Sequence, residues 1–364
     1  MHSIVPYLAS SSVSQRKITS LLHDGLLTAS QAYGLIEQGL SIHEVALHIQ
    51  DGQWWKENAV LSHRKLRLPW KIESWQATLH FQVDGLDFWV DPGPFAPVPD
   101  HCPDFILITH AHHDHIARLI TLVEHWPEAK VVMTRQTERV LREADTDIVC
   151  RVTPRLLVME YHQSQTVCGA TLCCYPAGHF IGAAMFSILF QSDAILISGD
   201  IALRDVGGLP GAAIPPGDYG LLALEASSPG RGDLPITDLP RTRGKLLQQI
   251  DQQVQAGKTS ILINTQSMGQ AQEAYASLVM AQRAGAFPGF DVWLHGKAAR
   301  ISALYQNALA KQSPVWSLPI LETSKIMVPN SIVITSRMTR DDEDRFLENL
   351  PDSVDLLRNP AVYT

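Results

Sequence analysis

The segment Thr109-His-Ala-His-His-Asp-His115 brings His110, His112, Asp114 and His115 into a short stretch that directly follows an apolar run. Imidazole nitrogens and carboxylate oxygens are the ligands zinc takes, and close spacing on a turn lets them converge. His113 is read as a supporting or solvent-facing neighbour. The same chemistry recurs downstream. His179 stands between Gly178 and Gly182 in Pro176-Ala-Gly-His-Phe-Ile-Gly182, where the backbone can turn sharply and present a ring. Asp200 ends Ile197-Ser-Gly-Asp200, and Asp91 ends Phe88-Trp-Val-Asp91. An aspartate closing an apolar run is an ordinary way to hold a carboxylate at a sheet edge. Two metals roughly 3.5–4 Å apart could hold a hydroxide between them and clamp the oxygens of a scissile ester or phosphodiester.

Positioning such groups requires rigid elements. Gln76–Val83 alternates, Asp84-Gly85 is a turn signal, and Leu86–Val90 returns as the hairpin partner. Phe105–Thr109 is a continuous apolar run, typical of a strand buried on both faces. A helical stretch follows to Trp126, then a strand at Val131–Met133 and a helix over Gln136–Asp145. Strands dominate from Arg155 to Ile201. After Pro229 the rhythm becomes αβαβα. Helices are expected at Thr242–Ala256, Gln270–Ala284 and Ala298–Ala310, and strands at Ser260–Asn264, Val292–Leu294 and Ser331–Thr335. Residues 1–65 read as about three short helices. Capping boxes at Thr28-Ala-Ser-Gln31 and Ser41-Ile-His-Glu44 open two of them.

The chain has 364 residues, is 45% hydrophobic and 18% charged, and carries a formal net charge of −8. That composition excludes a disordered chain, a collagen-like repeat and a disulfide scaffold. The five cysteines form no CxxC pair and read as small core residues in a reducing compartment. The opening residues MHSIVPYLAS lack a secretory signal, and no apolar run approaches roughly 18 residues. A cytoplasmic protein without a membrane span is therefore expected. The acidic balance argues against a free-standing basic nucleic-acid binder. Arg231, Arg241, Arg243, Arg337 and Arg340 are candidates for lining a phosphate groove.

HxHxDH, a later Gly-His and a strand-terminal Asp, in that order, resemble the metallo-β-lactamase superfamily. Ala177-Gly-His-Phe-Ile-Gly-Ala-Ala-Met-Phe186, Ser198-Gly-Asp200, Leu224-Glu-Ala-Ser227 and Gln266-Ser-Met-Gly-Gln-Ala-Gln-Glu273 resemble its β-CASP branch of nucleic-acid hydrolases. The layout is similar to that of ligase-associated exonucleases and mRNA 3′-end processing endonucleases. The resemblance implies an α/β fold. This is an αβ/βα sandwich over residues 66–229, a short β-CASP-like α/β cap over 230–330, a return to the core over 331–364, and a helical segment over 1–65. It assigns His110, His112 and His179 to a first zinc, Asp114 and His115 to a second, and Asp200 to both. Manganese could substitute. Asp91 would orient ligands from behind, and Glu225 would orient a catalytic group, with Asp114 the other catalytic carboxylate.

The family pattern continues to two more histidines, whereas the last histidine here is His295. The resemblance then implies a C-terminally shortened core with an incomplete second site. A partner chain, a second copy or the N-terminal segment would cover the open sheet edge. The function expected is a nuclease that cleaves DNA or RNA through a zinc-activated hydroxide, within a complex. The alternative is a catalytically impaired structural or regulatory subunit of a nucleic-acid-processing complex. Small-ester hydrolysis of the lactonase kind is disfavoured by the cap-like insertion.

Overall fold

A computed structural model describes residues 72–190, 193–213, 215, 217, 219–224, 239–325, 328–336 and 353–358. The helices expected over residues 1–65 lie outside this range, as do Glu225, Arg231, Arg337 and Arg340.

The first sheet begins with the expected hairpin. β2 (Thr78–Val83) and β3 (Leu86–Val90) pair antiparallel through Asp84-Gly85. Both turn residues have positive φ, 49° and 79°, the twist a two-residue hairpin needs. β1 (Ile72–Trp75) adds on the outside, while β4 (Phe105–Leu107), β5 (Lys130–Thr134) and β6 (Leu156–Met159) continue parallel to β3. The second sheet has the order β11-β10-β9-β8-β7. It is built from β7 (Ser164–Val167), β8 (Ala170–Pro176), β9 (Ala184–Phe190), β10 (Asp193–Ile197) and β11 (Leu221–Ala223).

Period-two alternation decides what lies between these sheets. Phe81, Phe88 and Phe105 line one face of the first sheet and meet Leu172, Phe186, Ile188, Phe190 and Ile195 of the second. Phe88 stacks on Phe81 and Phe105 at 5.1 and 4.9 Å and takes the edge of Phe190 at 5.7 Å. The intervening residues Trp89, Ile106, Val131 and Met133 face the opposite way. They join a core with the helices α1 (His113–Ile116), α2 (Leu119–His125), α3 (Arg135–Ala144) and α4 (Thr146–Val152). The first two sheets with these helices form the α/β sandwich of the metallo-β-lactamase fold.

The third sheet is wholly parallel, in the order β14-β13-β15-β12-β16. Its strands are β12 (Ser260–Thr265), β13 (Asp291–His295), β14 (Glu322–Thr323), β15 (Ser331–Ser336) and β16 (Val354–Arg358). The helices α5 (Leu239–Gln255), α6 (Met268–Arg283) and α7 (Lys297–Leu309) connect or cover them. Residues 331–336 were expected to re-enter the core. They lie instead between β12 and β13 in the cap sheet. The physical reason is that Ile332, Val333 and Ile334 are all buried, and an apolar run without alternation suits the centre of a parallel sheet. The cap docks on the core through α7 against α3. Lys297 Nζ donates to the Ala144 carbonyl at 3.1 Å, and Arg300 pairs with Glu143 at 3.5 Å.

Phe88 is the centre of the inter-sheet aromatic stack, so Phe88→Ala is expected to cost about 3–5 kcal/mol in denaturant unfolding. A loss below about 1 kcal/mol would show that the two sheets do not depend on this contact.

Candidate metal centre

The site grows from a single turn at the end of β3. Asp91 has φ 49°, a left-handed conformation that aspartate tolerates better than most residues. It turns a buried carboxylate towards β4. Asp91 Oδ1 accepts the Thr109 N–H at 2.7 Å. Asp91 Oδ2 accepts the Thr109 hydroxyl at 2.6 Å and His115 Nδ1–H at 2.9 Å. The Thr78 hydroxyl donates to the Asp91 carbonyl at 2.7 Å and accepts the Gly93 N–H at 2.9 Å, which locks the turn from the β2 side.

The histidine segment leaves the C-terminal end of β4. His112 precedes α1, and His113 and Asp114 are exposed while His115 points inward. Thr109 Oγ1 lies 3.1 Å from His110 Nδ1, so the same hydroxyl touches both the Asp91 carboxylate and the first imidazole.

His179 and Asp200 arrive on two loops from the second sheet. Gly178 has φ +72°, and a Cβ there would stand 2.5 Å from the Ala202 carbonyl oxygen and the Ala212 nitrogen. Gly199 has φ +53°, and a Cβ there would meet the Thr109 side chain at 2.5 Å. Only glycine permits both approaches, and they bring the two loops against each other and against Thr109. The Ala202 N–H to Ala177 carbonyl bond, 2.9 Å, joins the two loops directly.

The side chains converge accordingly. His110 Nε2 and His179 Nε2 lie 3.0 and 3.3 Å from His112 Nδ1. The same two nitrogens lie 3.8 and 3.5 Å from Asp200 Oδ2. The other Asp200 oxygen, Oδ1, lies 3.5 Å from His115 Nε2, which is also 3.6 Å from Asp114 Oδ2. His110, His112, His179 and Asp200 thus offer donor atoms within 4.8 Å of one another. Three imidazoles and a carboxylate fit a zinc or manganese ion by donor type. His110, His115 and Asp91 also approach within that limit. Both Asp91 oxygens are already engaged by Thr109 and His115, so Asp91 supports His115 from behind, and the Nε2 side faces Asp114 and Asp200.

Electrostatics separates the two sides. Burial, reinforced by the imidazoles of His112, His115 and His179, holds His110 well below the usual histidine range. Its lone pairs are therefore available. Burial also opposes charge on His115, but Asp91 and Asp200 outweigh it and push that imidazole up to about 10. For Asp200, burial raises the pKa, yet the hydrogen bond from His115 and its charge prevail and lower it.

Of the six expected ligands, His110, His112, His179 and Asp200 come together, His115 faces the other oxygen of Asp200, and the exposed Asp114 borders them at His115 Nε2, with Asp91 behind His115. His295 does not join this group. Its Nδ1 lies 3.3 Å from Thr335 Oγ1 at the end of the cap sheet. Arg243, a candidate for a phosphate groove, is instead paired with the buried Glu273 at 2.6 Å. Of the cysteines expected inside, Cys150 and Cys168 are exposed. Sequence reasoning missed Thr109 as a participant. A hydroxyl residue directly ahead of the first histidine, at the end of a buried strand, was the available signal.

These shifts set a pH dependence for the metal-free protein. His110 binds its proton less readily folded than unfolded, so stability falls as pH drops below 6.5. His115 has the opposite sign: its contribution is complete below 6.5 and is lost as pH rises towards about 10. Thermal unfolding in chelator should show greatest stability near pH 6.5, and Asp91→Asn should flatten the alkaline side. A wild-type alkaline side already flat would contradict the His115–Asp91 pairing.

No family model matches the chain. Curated relatives do. Cleavage and polyadenylation specificity factor subunit 3-I of Arabidopsis thaliana is 27% identical over 188 residues, covering 47% of this chain and 27% of the relative. Endoribonuclease YSH1 of Yarrowia lipolytica is 28% identical over 236 residues, covering 57% of this chain and 26% of the relative. Cleavage and polyadenylation specificity factor 73 of Drosophila melanogaster is 27% identical over 191 residues, 47% of this chain and 27% of the relative. The matches span about a quarter of the length of each relative. No described helix is long and apolar enough to cross a membrane, and nothing in these relatives supports the expected cytoplasmic placement. The homologues of this chain are β-CASP endonucleases of the metallo-β-lactamase superfamily, and its α/β sandwich is their fold.

Proposed function

We propose that the chain is a metal-dependent endoribonuclease that hydrolyses phosphodiester bonds in single-stranded RNA. The observation that carries this reading is the arrangement about Asp200, with the three imidazoles facing one of its oxygens and His115 facing the other. The relatives named as endoribonucleases support RNA over DNA.

In this reading His110, His112 and His179 would hold one divalent ion, Asp114 and His115 would hold a second, and Asp200 would be available to either. Zinc or manganese, when bound, would polarise the phosphodiester and lower the pKa of water. The chain's own residues supply orientation and proton transfer. Asp91 holds His115 by Nδ1, which leaves Nε2 facing the centre. Asp114, with its side chain 68% exposed, is the carboxylate we assign to take a proton from attacking water. Glu225 is assigned to orient a catalytic group on resemblance alone. The net charge of −8 would repel a polyanion, so a different, basic protein partner supplies the phosphate-binding surface in this proposal.

One observation favours the second reading, a catalytically impaired subunit. Among the described residues, the side of the site facing Asp200 Oδ1 has one imidazole, His115, against three on the other.

Metal analysis of the purified protein, with 5′-labelled single-stranded RNA and DNA as substrates, tests both. Two metal equivalents and RNA cleavage are expected. Asp114→Ala and His179→Ala should each lower the rate by about 10²–10⁴-fold while the protein stays folded. A metal-replete protein, assayed with its co-purifying partners, that cleaves neither substrate would overturn the nuclease reading and favour the second.

A further inference from the structure

Tyr305, on α7 of the cap, is 2% exposed and lies among aromatic rings. Its hydroxyl oxygen accepts the backbone N–H of Ile181 at 3.2 Å. Ile181 is two residues beyond His179. Phe180, between them, has its ring 5.0 Å from the ring of His112 and 6.0 Å from that of Tyr305. Both residues that follow His179 are therefore in contact with Tyr305, and one of them also backs a second imidazole of the cluster.

The same aromatic group reaches the other loop. Tyr305 lies 5.0 Å from Trp316, which stacks on Tyr275 at 5.3 Å. Trp316 Nε1–H donates to the Gly207 carbonyl at 2.7 Å, on the segment that follows Asp200. Core residues hold the His179 loop from the opposite side. Tyr161 donates to the Ala183 carbonyl at 3.0 Å, and Thr134 and Thr137 donate to the Gly182 carbonyl at 2.8 Å. The loop is thus clamped between core hydroxyls on one side and a cap hydroxyl on the other.

We infer that Tyr305 is a positioning residue for His179, its hydroxyl holding the geometry of the metal centre through the Ile181 amide rather than through cap docking in general. The inference rests on the metal-centre reading above. A buried N–H that loses its acceptor must move or be resolvated, and moving the Ile181 amide moves the residue that carries His179 Nε2. Small displacements matter here, because ligand orientation is set by such outer contacts. Trp316 plays the parallel part for the Asp200 segment.

Tyr305→Phe removes the hydroxyl and keeps the ring. Zinc affinity, measured on the full chain by competition with a chromophoric chelator, should weaken about tenfold. The visible bands of the cobalt-substituted protein should shift as its coordination changes. Arg300→Gln breaks the α3–α7 ion pair, which has no bond to the His179 loop, and is expected to leave both readouts at wild-type values. Wild-type zinc affinity together with an unchanged cobalt spectrum in Tyr305→Phe would overturn the inference. So would an equal loss in Arg300→Gln, because general cap docking would then be the cause. Should Tyr305→Phe fail to fold, Trp316→Phe is judged by the same two readouts. A wild-type chain that binds neither zinc nor cobalt would overturn the metal-centre reading, and this inference with it.

Discussion

The carboxylate of Asp91 is the point on which the site hangs. It is almost fully buried, and an isolated carboxylate in that setting would be costly enough to stay protonated or to disrupt the fold. Burial still holds this carboxyl above the usual aspartate range, and three donors offset part of the cost: the Thr109 amide, the Thr109 hydroxyl and His115. Each of those donors belongs to the strand end or turn that carries the histidines. The interaction that makes the charge tolerable also fixes where the imidazoles stand, so packing and chemistry cannot be separated here.

Crowded imidazoles create a second demand. Burial and the imidazoles of His112, His115 and His179 lower the proton affinity of His110, while Asp91 and Asp200 raise that of His115. Asp200 sits where both influences meet, with one oxygen towards each group. A cluster of this kind is poorly matched to bulk water and well matched to divalent cations. The glycines ahead of His179 and Asp200 remove the side-chain bulk that would keep the loops apart.

Much of this was legible from residue types because the ligands lie close in sequence or end apolar runs. The histidine turn, His179 between glycines and the two strand-terminal aspartates are local patterns, and local patterns survive into the fold. The misplacement of Ser331–Ser336 has the opposite origin. The strand's apolar centre, Ile332–Ile334, suits the middle of a parallel sheet but does not say which one, and its neighbours β12 and β13 decide. Arg243 shows the same limit, since its partner Glu273 is brought to it by the packing of α5 on α6. Tyr305 could not have been found from spacing at all. Its link to the site runs through a backbone amide far away in the chain.

The strand order of the cap also has a consequence for assembly. β12 lies between β15 and β16, and β13 lies between β14 and β15. During synthesis β12 therefore has no hydrogen-bonding neighbour until residue 331 and beyond has emerged, a long loop to close. The residues that converge about Asp200 are all made by residue 200, inside sheets whose strands are near neighbours in sequence. The sandwich can therefore bring these residues together on the growing chain before the cap sheet is complete, and the contacts from Tyr305 and Trp316 are added last.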